Sequence, residues 1–214
     1  MREGDLRGTR VLDVGCGTGT LAVALAEQYA CKVWGIDPSP EMLDVARAKV
    51  SGGVGLKLGS AEALPFKDGW FERAVSKLAM HLVDRRRAFA EIHRVLAPGG
   101  RFALASFDPA HFTSYYLNTY FPSILAIDSE RFAPADVLLT ELREAGFADM
   151  RTASLTQALS MTRADALGRI RGRHISTFQL IPEEEYTAGL ERAERELPDR
   201  IDYAQHWVVV SAGR

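Results

Sequence analysis

The 214-residue chain lacks most of the features that would place it in a specialised class. It has only two cysteines, Cys16 and Cys31, too few for a disulfide framework. Neither has a neighbour at metal-ligand spacing, and the five histidines are scattered, so no metal site is expected. The formal net charge is -2, which excludes a global positive field that would gather nucleic acid or an anionic membrane. No apolar run reaches bilayer-spanning length, and Met1-Arg2-Glu3-Gly4-Asp5 lacks the apolar core of a secretion signal. Internal repeats, low-complexity stretches and clear linkers are also missing. What remains is 47% hydrophobic and 25% charged, which suits one globular domain over residues 1–214 in a reducing, cytoplasmic setting.

Strand and helix patterns alternate through the first two-thirds. Strand-like runs lie near 10–14, 32–36, 54–58, 71–76 and 101–106. A first helix is expected over 18–29, with Leu21 and Leu25 among small alanines. A second opens at Pro38-Ser39-Pro40-Glu41, where Ser39 can cap and Pro40 suits the first helical position. A third runs from the capping acid Asp84 through Phe89, Ile92 and Leu96 and stops at Pro98-Gly99-Gly100. A further helix is read from Pro134 to Ala145, ending at Gly146. This alternation predicts an α/β, doubly wound sheet with parallel strands and helices on both faces. Later, Thr162 with Asp165 resembles a capping box, and a helix opens at Pro182-Glu183-Glu184-Glu185, expected to be a solvated acidic face with an apolar seam. The stretch 108–133 reads as long and irregular.

The chemistry concentrates in Asp13-Val14-Gly15-Cys16-Gly17-Thr18-Gly19, between a strand and a helix start. Such a turn lets a ligand approach bare backbone, and the helix end favours a negative group. A dinucleotide fingerprint needs G-x-G-x-x-G, but its third glycine position here is Thr20, and Gly19 comes one place early. With the acid two residues before the first glycine, the string resembles motif I of the class I S-adenosylmethionine-dependent methyltransferases. Three further segments resemble the family: Gly59-Ser60-Ala61-Glu62-Ala63-Leu64-Pro65-Phe66, Ser76-Lys77-Leu78-Ala79-Met80-His81, and Glu91 through Gly100. Together they cover roughly residues 10–107.

The resemblance implies a Rossmann-like seven-stranded sheet, mostly parallel, ending in an antiparallel hairpin, here read as 150–158 and 202–211 interrupted by two helices. It implies S-adenosylmethionine as cofactor and S-adenosylhomocysteine as product. Backbone N–H groups across Gly15, Cys16, Gly17 and Gly19 are expected to hold the carboxylate. Asp13 is expected to steady the turn or meet the ammonium through water. Asp37 is expected to take both ribose hydroxyls, since a carboxylate can accept from a vicinal diol; its plainer reading is a helix-capping acid. Met42 is expected beside the adenine as a soft apolar face. At Ser60 the family has an acid, so adenine reading falls to the Ala61 N–H, with Glu62 beside it, unless Ser60 simply caps a turn. The backbone near Lys77 is expected to face the methionine part.

The resemblance most suggests the small-molecule branch that methylates quinones and similar metabolites. Methyl transfer is an in-line displacement, and a base is needed only for an acceptor protonated at neutral pH. Candidate catalytic or substrate residues are His81, near the methyl donor; His111 and Tyr115, in an aromatic cluster; and Arg173 and His174, able to clamp an anion. Each also has a plain packing or solvated reading, and His93 is expected to be solvated. Many relatives carry a helical cap before the first strand. Here that strand starts within about ten residues of Met1, so 108–133 and 162–197 are expected to serve as lid and substrate insertions, with weak cofactor affinity. The expected partner is a small-molecule substrate, with no nucleic acid and no membrane; the oligomeric state is open. The alternative is a binding protein of the same fold that holds the cofactor without turnover.

Overall fold

Residues 10–14 are apolar apart from one acid and an edge arginine, the pattern of a parallel strand covered on both faces. In the computed structural model, which describes residues 6–50 and 52–214, this is β1 (Arg10–Val14). The reading of Met1–Asp5 lies outside the described residues. Helix α1 (Thr20–Tyr29), β2 (Lys32–Asp37), α2 (Pro40–Lys49), β3 (Val54–Leu58) and β4 (Phe71–Lys77) follow. Then come α3 (Arg85–Val95), β5 (Leu96–Phe107), α4 (Ala110–Thr113), α5 (Ser123–Arg131) and α6 (Ala135–Glu144). The chain closes with β6 (Ala148–Thr162), α7 (Arg163–Arg171), α8 (Glu183–Glu196) and β7 (Arg200–Gly213). The sheet has seven strands in the order β3-β2-β1-β4-β5-β7-β6. The strands from β3 to β5 pair in parallel. Arg214 N–H donates to the Gly100 carbonyl and Gly99 N–H to the Arg214 carbonyl, while Asp108 N–H donates to the His206 carbonyl, so β7 runs antiparallel to β5. The order reverses between β1 and β4, which creates a switch point at their carboxyl ends.

The chain divides into two compact units. Unit 1 comprises residues up to Ser106 with Ala135–Ala153 and Val209–Arg214; unit 2 comprises Phe107–Pro134 and Ser154–Val208. In unit 1, Val11, Ala22, Leu25, Val33 and Val75 form one buried cluster around β1. The caps match the chemistry of their residues: Ser39 accepts from the Met42 N–H, with Pro40 at the start of α2, and Asp84 accepts from the Arg87 N–H. Helix α3 buries Ala88, Phe89, Ile92 and Val95 along one stripe, and Arg85 grips Glu141 of α6 through two bonds of 2.7 and 2.9 Å.

Several elements differ from expectation. Helix α1 starts at Thr20, because Gly17 and Gly19 both take left-handed conformations. Helix α3 ends at Val95, not at the proline-glycine turn. Strand β5 has already begun at Leu96 and carries Pro98–Gly100 as a bulge: three residues on β4 (Phe71 to Arg73) span six on β5 (Leu96 to Arg101). The hairpin strands β6 and β7 are longer than the hydrophobic pattern indicated. The segment 108–133 is not irregular; it holds α4, a 3-10 turn at Tyr116–Thr119 and α5.

Unit 2 has its own core, with Leu117, Phe121, Ile124, Ile170, Phe178 and Tyr186 at its centre. Helix α5 lacks a capping side chain of its own; Glu185 of α8 supplies the cap, accepting from Ser123 N–H at 2.9 Å and from its hydroxyl at 2.6 Å. Glu185 thus has a partner where a solvated acidic face was expected. Helix α8 approaches Phe121 so closely that a Cβ on Gly189 would lie 2.4 Å from its ring. Gly189→Ala is therefore expected to cost about 1–3 kcal/mol through overpacking, despite alanine's better helix propensity. A thermal melt should show the midpoint falling rather than rising.

Candidate functional site

The site is built from the turn after β1. Each of its three glycines is left-handed, with φ of 71° at Gly15, 51° at Gly17 and 74° at Gly19. Their reasons differ. A Cβ on Gly15 would sit 2.3 Å from the Ala79 Cβ, so the chain leaving β4 presses on the first glycine. A Cβ on Gly19 would lie 3.0 Å from Ala46 of α2. At Gly17 nothing lies within 4 Å, so this glycine faces open space.

The turn closes on β2. Gly15 and Cys16 N–H both donate to the Ile36 carbonyl, at 2.9 and 3.0 Å, and Gly17 N–H donates to Asp37 Oδ2 at 2.8 Å. Gly19 N–H returns to the Cys16 carbonyl at 2.9 Å. The N–H groups expected to hold a carboxylate are thus engaged within the turn, which forms a shaped ledge rather than an anion nest. Asp37 also accepts from Ser39 N–H through Oδ1 at 3.0 Å. One lone pair on each of its oxygens is therefore used, and one on each remains. The Cys16 side chain runs beneath β2, where a Cβ on Gly35 would meet its Sγ at 2.8 Å. Burial, with Asp13 and Asp37 nearby, pushes its thiol up to about 12.

Asp13 is 1% exposed, and its Oδ2 has no hydrogen-bond partner among the described residues. Burial raises its pKa to about 7; the Ala22 backbone amide opposes this, the Asp37 charge adds to it and Lys77 opposes it. The contact with Ala22 puts an acid at the start of α1, whose own cap is a glycine. Lys77 is exposed at the end of β4 and Leu78 follows at φ 53°, a strained conformation for leucine that turns the chain toward Ala79 and Gly15. Met42 is 46% exposed in the first turn of α2.

The loop after β3 is held from α3. Glu91 accepts from Leu64 N–H at 2.7 Å, and Arg94 donates to the Leu64 and Phe66 carbonyls at 2.9 Å each. Glu91 and Arg94 also pair at 2.7 Å. The sequence placed both positions in a family-like segment without a role for either, although the spacing E-x-x-R on one helix face was a signal for a pair. Ser60 Oγ accepts from Glu62 N–H at 3.2 Å and donates to its carboxylate, whose other oxygen accepts from Asp84 N–H at 3.0 Å. Burial alone would raise the Glu62 pKa; these bonds outweigh it and leave it below the usual range. Ser60 and Glu62 thus stiffen the loop, while the buried Ala61 sits between them. His93 is not solvated: its ring meets Phe147 edge-on at 5.0 Å and abuts Gly146.

The remaining candidates are separated. His81 is half-buried in unit 1, in the 3-10 turn Met80–Leu82. His111, Tyr115, Arg173 and His174 belong to unit 2. The Arg173 guanidinium pairs with Glu183 at 2.5 Å and stacks 3.7 Å from the Tyr186 ring centre. His174 Nδ1 lies 2.9 Å from the Arg169 carbonyl at the end of α7. Both are committed to holding helix ends. His111 is 2% exposed among aromatic rings, and Tyr115 lies 5.1 Å from it. Among the described residues no group of three His, Cys, Asp or Glu side chains could hold a metal ion, and no helix is long and apolar enough to cross a membrane.

A family profile described as a methyltransferase domain matches residues 11–100. The ubiquinone/menaquinone biosynthesis C-methyltransferase UbiE of Geobacter sp. (strain M21) is 33% identical over 180 residues, covering 71% of this chain and 75% of that protein. The uncharacterized methyltransferase Rv3342 of Mycobacterium tuberculosis is 47% identical over 95 residues, 44% of this chain. The chain spans only 38% of that mycobacterial relative's length. A solved structure from Anabaena variabilis, assigned as a methyltransferase of an antibiotic biosynthesis pathway, superposes with a TM-score of 0.75 at 25% identity, covering 95% of this chain and 90% of that one. The chain belongs to the class I S-adenosylmethionine-dependent methyltransferase family, whose cofactor is S-adenosylmethionine. Two features of the turn fit that group: an unpartnered buried carboxylate oxygen at Asp13 and open space at Gly17.

Gly15→Ala should cost more stability than Gly17→Ala, because only the first collides with a neighbour. Gly17→Ala should cost about 1–2 kcal/mol, the penalty for a left-handed alanine; chemical denaturation separates the two. Asp13 predicts a pH effect of definite sign. Its native pKa lies above its ordinary value of 3.8, so the native state binds the extra proton and stability falls as pH rises from about 4 through about 7. Asp13→Asn should flatten this fall and make the ligand-free protein more stable than wild type at pH 8, with the two converging near pH 4. A larger loss in Asp13→Asn at pH 8 would show that the charge stabilises the fold.

Proposed function

We propose that this chain transfers a methyl group from S-adenosylmethionine to a small-molecule acceptor. The observation that supports this most directly is the glycine turn itself, closed on Ile36 and Asp37 with an unsatisfied carboxylate oxygen behind it. When bound, the cofactor supplies a sulfonium methyl for in-line displacement.

The chain's own residues take distinct parts. Gly17 provides the bare ledge. Asp13 attracts the ammonium, with Gly15, Cys16 and Gly19 shaping the turn around it. Asp37 takes the ribose hydroxyls on its two remaining lone pairs. The Ala61 N–H reads the adenine edge, on a loop stiffened by Ser60, Glu62, Glu91 and Arg94, and Met42 covers the ring. The backbone at Lys77 borders the methionine part. An acceptor site in unit 2 includes His111 and Tyr115. The names of the relatives support a small-molecule acceptor, UbiE and an O-methyltransferase of Penicillium expansum among them.

Titration calorimetry with S-adenosylhomocysteine tests the cofactor side. Wild type should bind saturably. Asp37→Ala should lose at least about tenfold in affinity, the equivalent of about 1.4 kcal/mol for a charged hydrogen bond. Absence of binding by wild type would overturn the proposal, and release of S-adenosylhomocysteine with an acceptor would exclude a purely binding role.

A further inference from the structure

Strand β6 stands at one edge of the sheet, with β7 beside it and, among the described residues, no strand beyond it. Its two faces are as bare as its edge, since every residue from Arg151 to Ala158 is exposed. A strand covered on one face alternates buried and exposed positions. β6 does so only near its end, where Leu159 is half-buried and Met161 buried. Proteins blunt such an edge with charge, proline, a bulge or a covering element. The opposite edge of the sheet follows that rule, since β3 is only five residues long and carries Lys57. The β6 edge does not: between Arg151 and Arg163 the chain has no charged residue, proline or glycine.

The register with β7 shows which backbone groups are free. Arg163 N–H donates to the Asp199 carbonyl at 2.9 Å, and Thr156 Oγ1 lies 3.2 Å from His206 Nδ1. The two contacts are equally far apart on each strand, so β6 and β7 run antiparallel without a bulge from Thr156 to Arg163. Bonded and non-bonded pairs alternate along such a ladder. Arg163 bonds to β7, so the odd-numbered residues of β6 do too. Ser154, Thr156, Ala158 and Ser160 therefore turn their N–H and C=O groups to the open edge. Charge selects the occupant and its direction. Asp149 lies near the start of β6 and Arg163 follows its end. An identical strand laid antiparallel about Thr156 sets Asp149 of each copy opposite Arg163 of the other, whereas a parallel copy sets like against like. The same register places Leu155, 57% exposed, diagonally across from Leu159 of the second copy. Leu159 lines a cleft of about 650 Å³ with Ala158, Ser160, Tyr203 and Ala204, which has room for a leucine side chain.

We propose that the β6 edge is a docking surface for a second copy of this chain, joined antiparallel about a two-fold axis through Thr156. Thr156 exchanges both backbone bonds with its counterpart, and Ser154 of each copy exchanges its own with Ala158 of the other. The contact is isologous and occupies the same edge in both copies, so association stops at two. It does not rest on the methyl-transfer reading.

Analytical ultracentrifugation of the full chain at rising concentration tests this. Wild type should pass from monomer to dimer, and the amides of Ser154, Thr156 and Ala158 should exchange hydrogen more slowly in the dimer. Positions 154 and 158 face each other across the axis but lie roughly 13 Å apart within one strand, so charges placed there meet only between copies. Ser154→Lys with Ala158→Lys opposes two like pairs and should raise the dimer dissociation constant about tenfold. Ser154→Glu with Ala158→Lys makes two opposite pairs and should restore association to the wild-type level or better. Thermal melts of dilute samples report whether each variant folds; if one does not, the hydrogen exchange of wild type decides. A wild type that stays monomeric at every concentration overturns the proposal, as does association beyond the dimer. A dimer that both double variants leave unchanged, or weaken alike, overturns it too.

Discussion

One carbonyl organises the cofactor half of this protein. The Ile36 oxygen, at the end of β2, accepts from both Gly15 and Cys16, and the next residue's carboxylate takes Gly17. These three bonds bend the chain leaving β1 over the end of its neighbour, which is possible because Gly15 and Gly17 adopt left-handed dihedrals. Helix α1, the buried position of Asp13 and the bare surface at Gly17 all follow from that bend. The same bonds consume donors that a glycine turn would otherwise offer to a ligand. Under the proposed function, recognition falls to shape and to carboxylates, Asp13 and Asp37, rather than to a nest of backbone amides.

Asp13 shows how such a site holds its charge ready. Burial drives the carboxylate toward the neutral form, and a cationic group at Oδ2 would restore its charge. Under the proposed role of Asp13, a cation at Oδ2 relieves the cost of burying this charge, a conflict of binding and stability common at functional sites. The loop after β3 follows a different principle. Its backbone is held by Glu91 and Arg94 from outside, so its amides keep their places independently of any ligand.

Unit 2 is organised by side chains reaching across its helices. Glu185 caps α5, and Arg173 joins the end of α7 to α8 through Glu183 and Tyr186. Residues that look like an anion clamp in one dimension are thereby spent on helix ends. In the aromatic row from Phe107 to Tyr116, His111 Nδ1 and Tyr116 Oη have no hydrogen-bond partner among the described residues. The family's fold accounts for the first unit; under the proposed function the second accounts for what is methylated, because a fold constrains chemistry far less than a site does.

The strand-helix alternation, the capping residues Ser39, Asp84 and Thr162, and the glycine turn were all legible in the sequence, because each depends on a few neighbouring residues. The left-handed Leu78, the bulge in β5, the clamp from Glu91 and Arg94, and the use of Arg173 by Glu183 were not. Each is decided by a partner distant in sequence or by strain that the surroundings impose. Sequence by itself determined the family, the sheet and the identity of the cofactor, since local hydrogen-bonding and dihedral needs write themselves into residue type. Only the tertiary structure decided which polar groups are satisfied, because satisfaction depends on what the fold brings within about 3 Å.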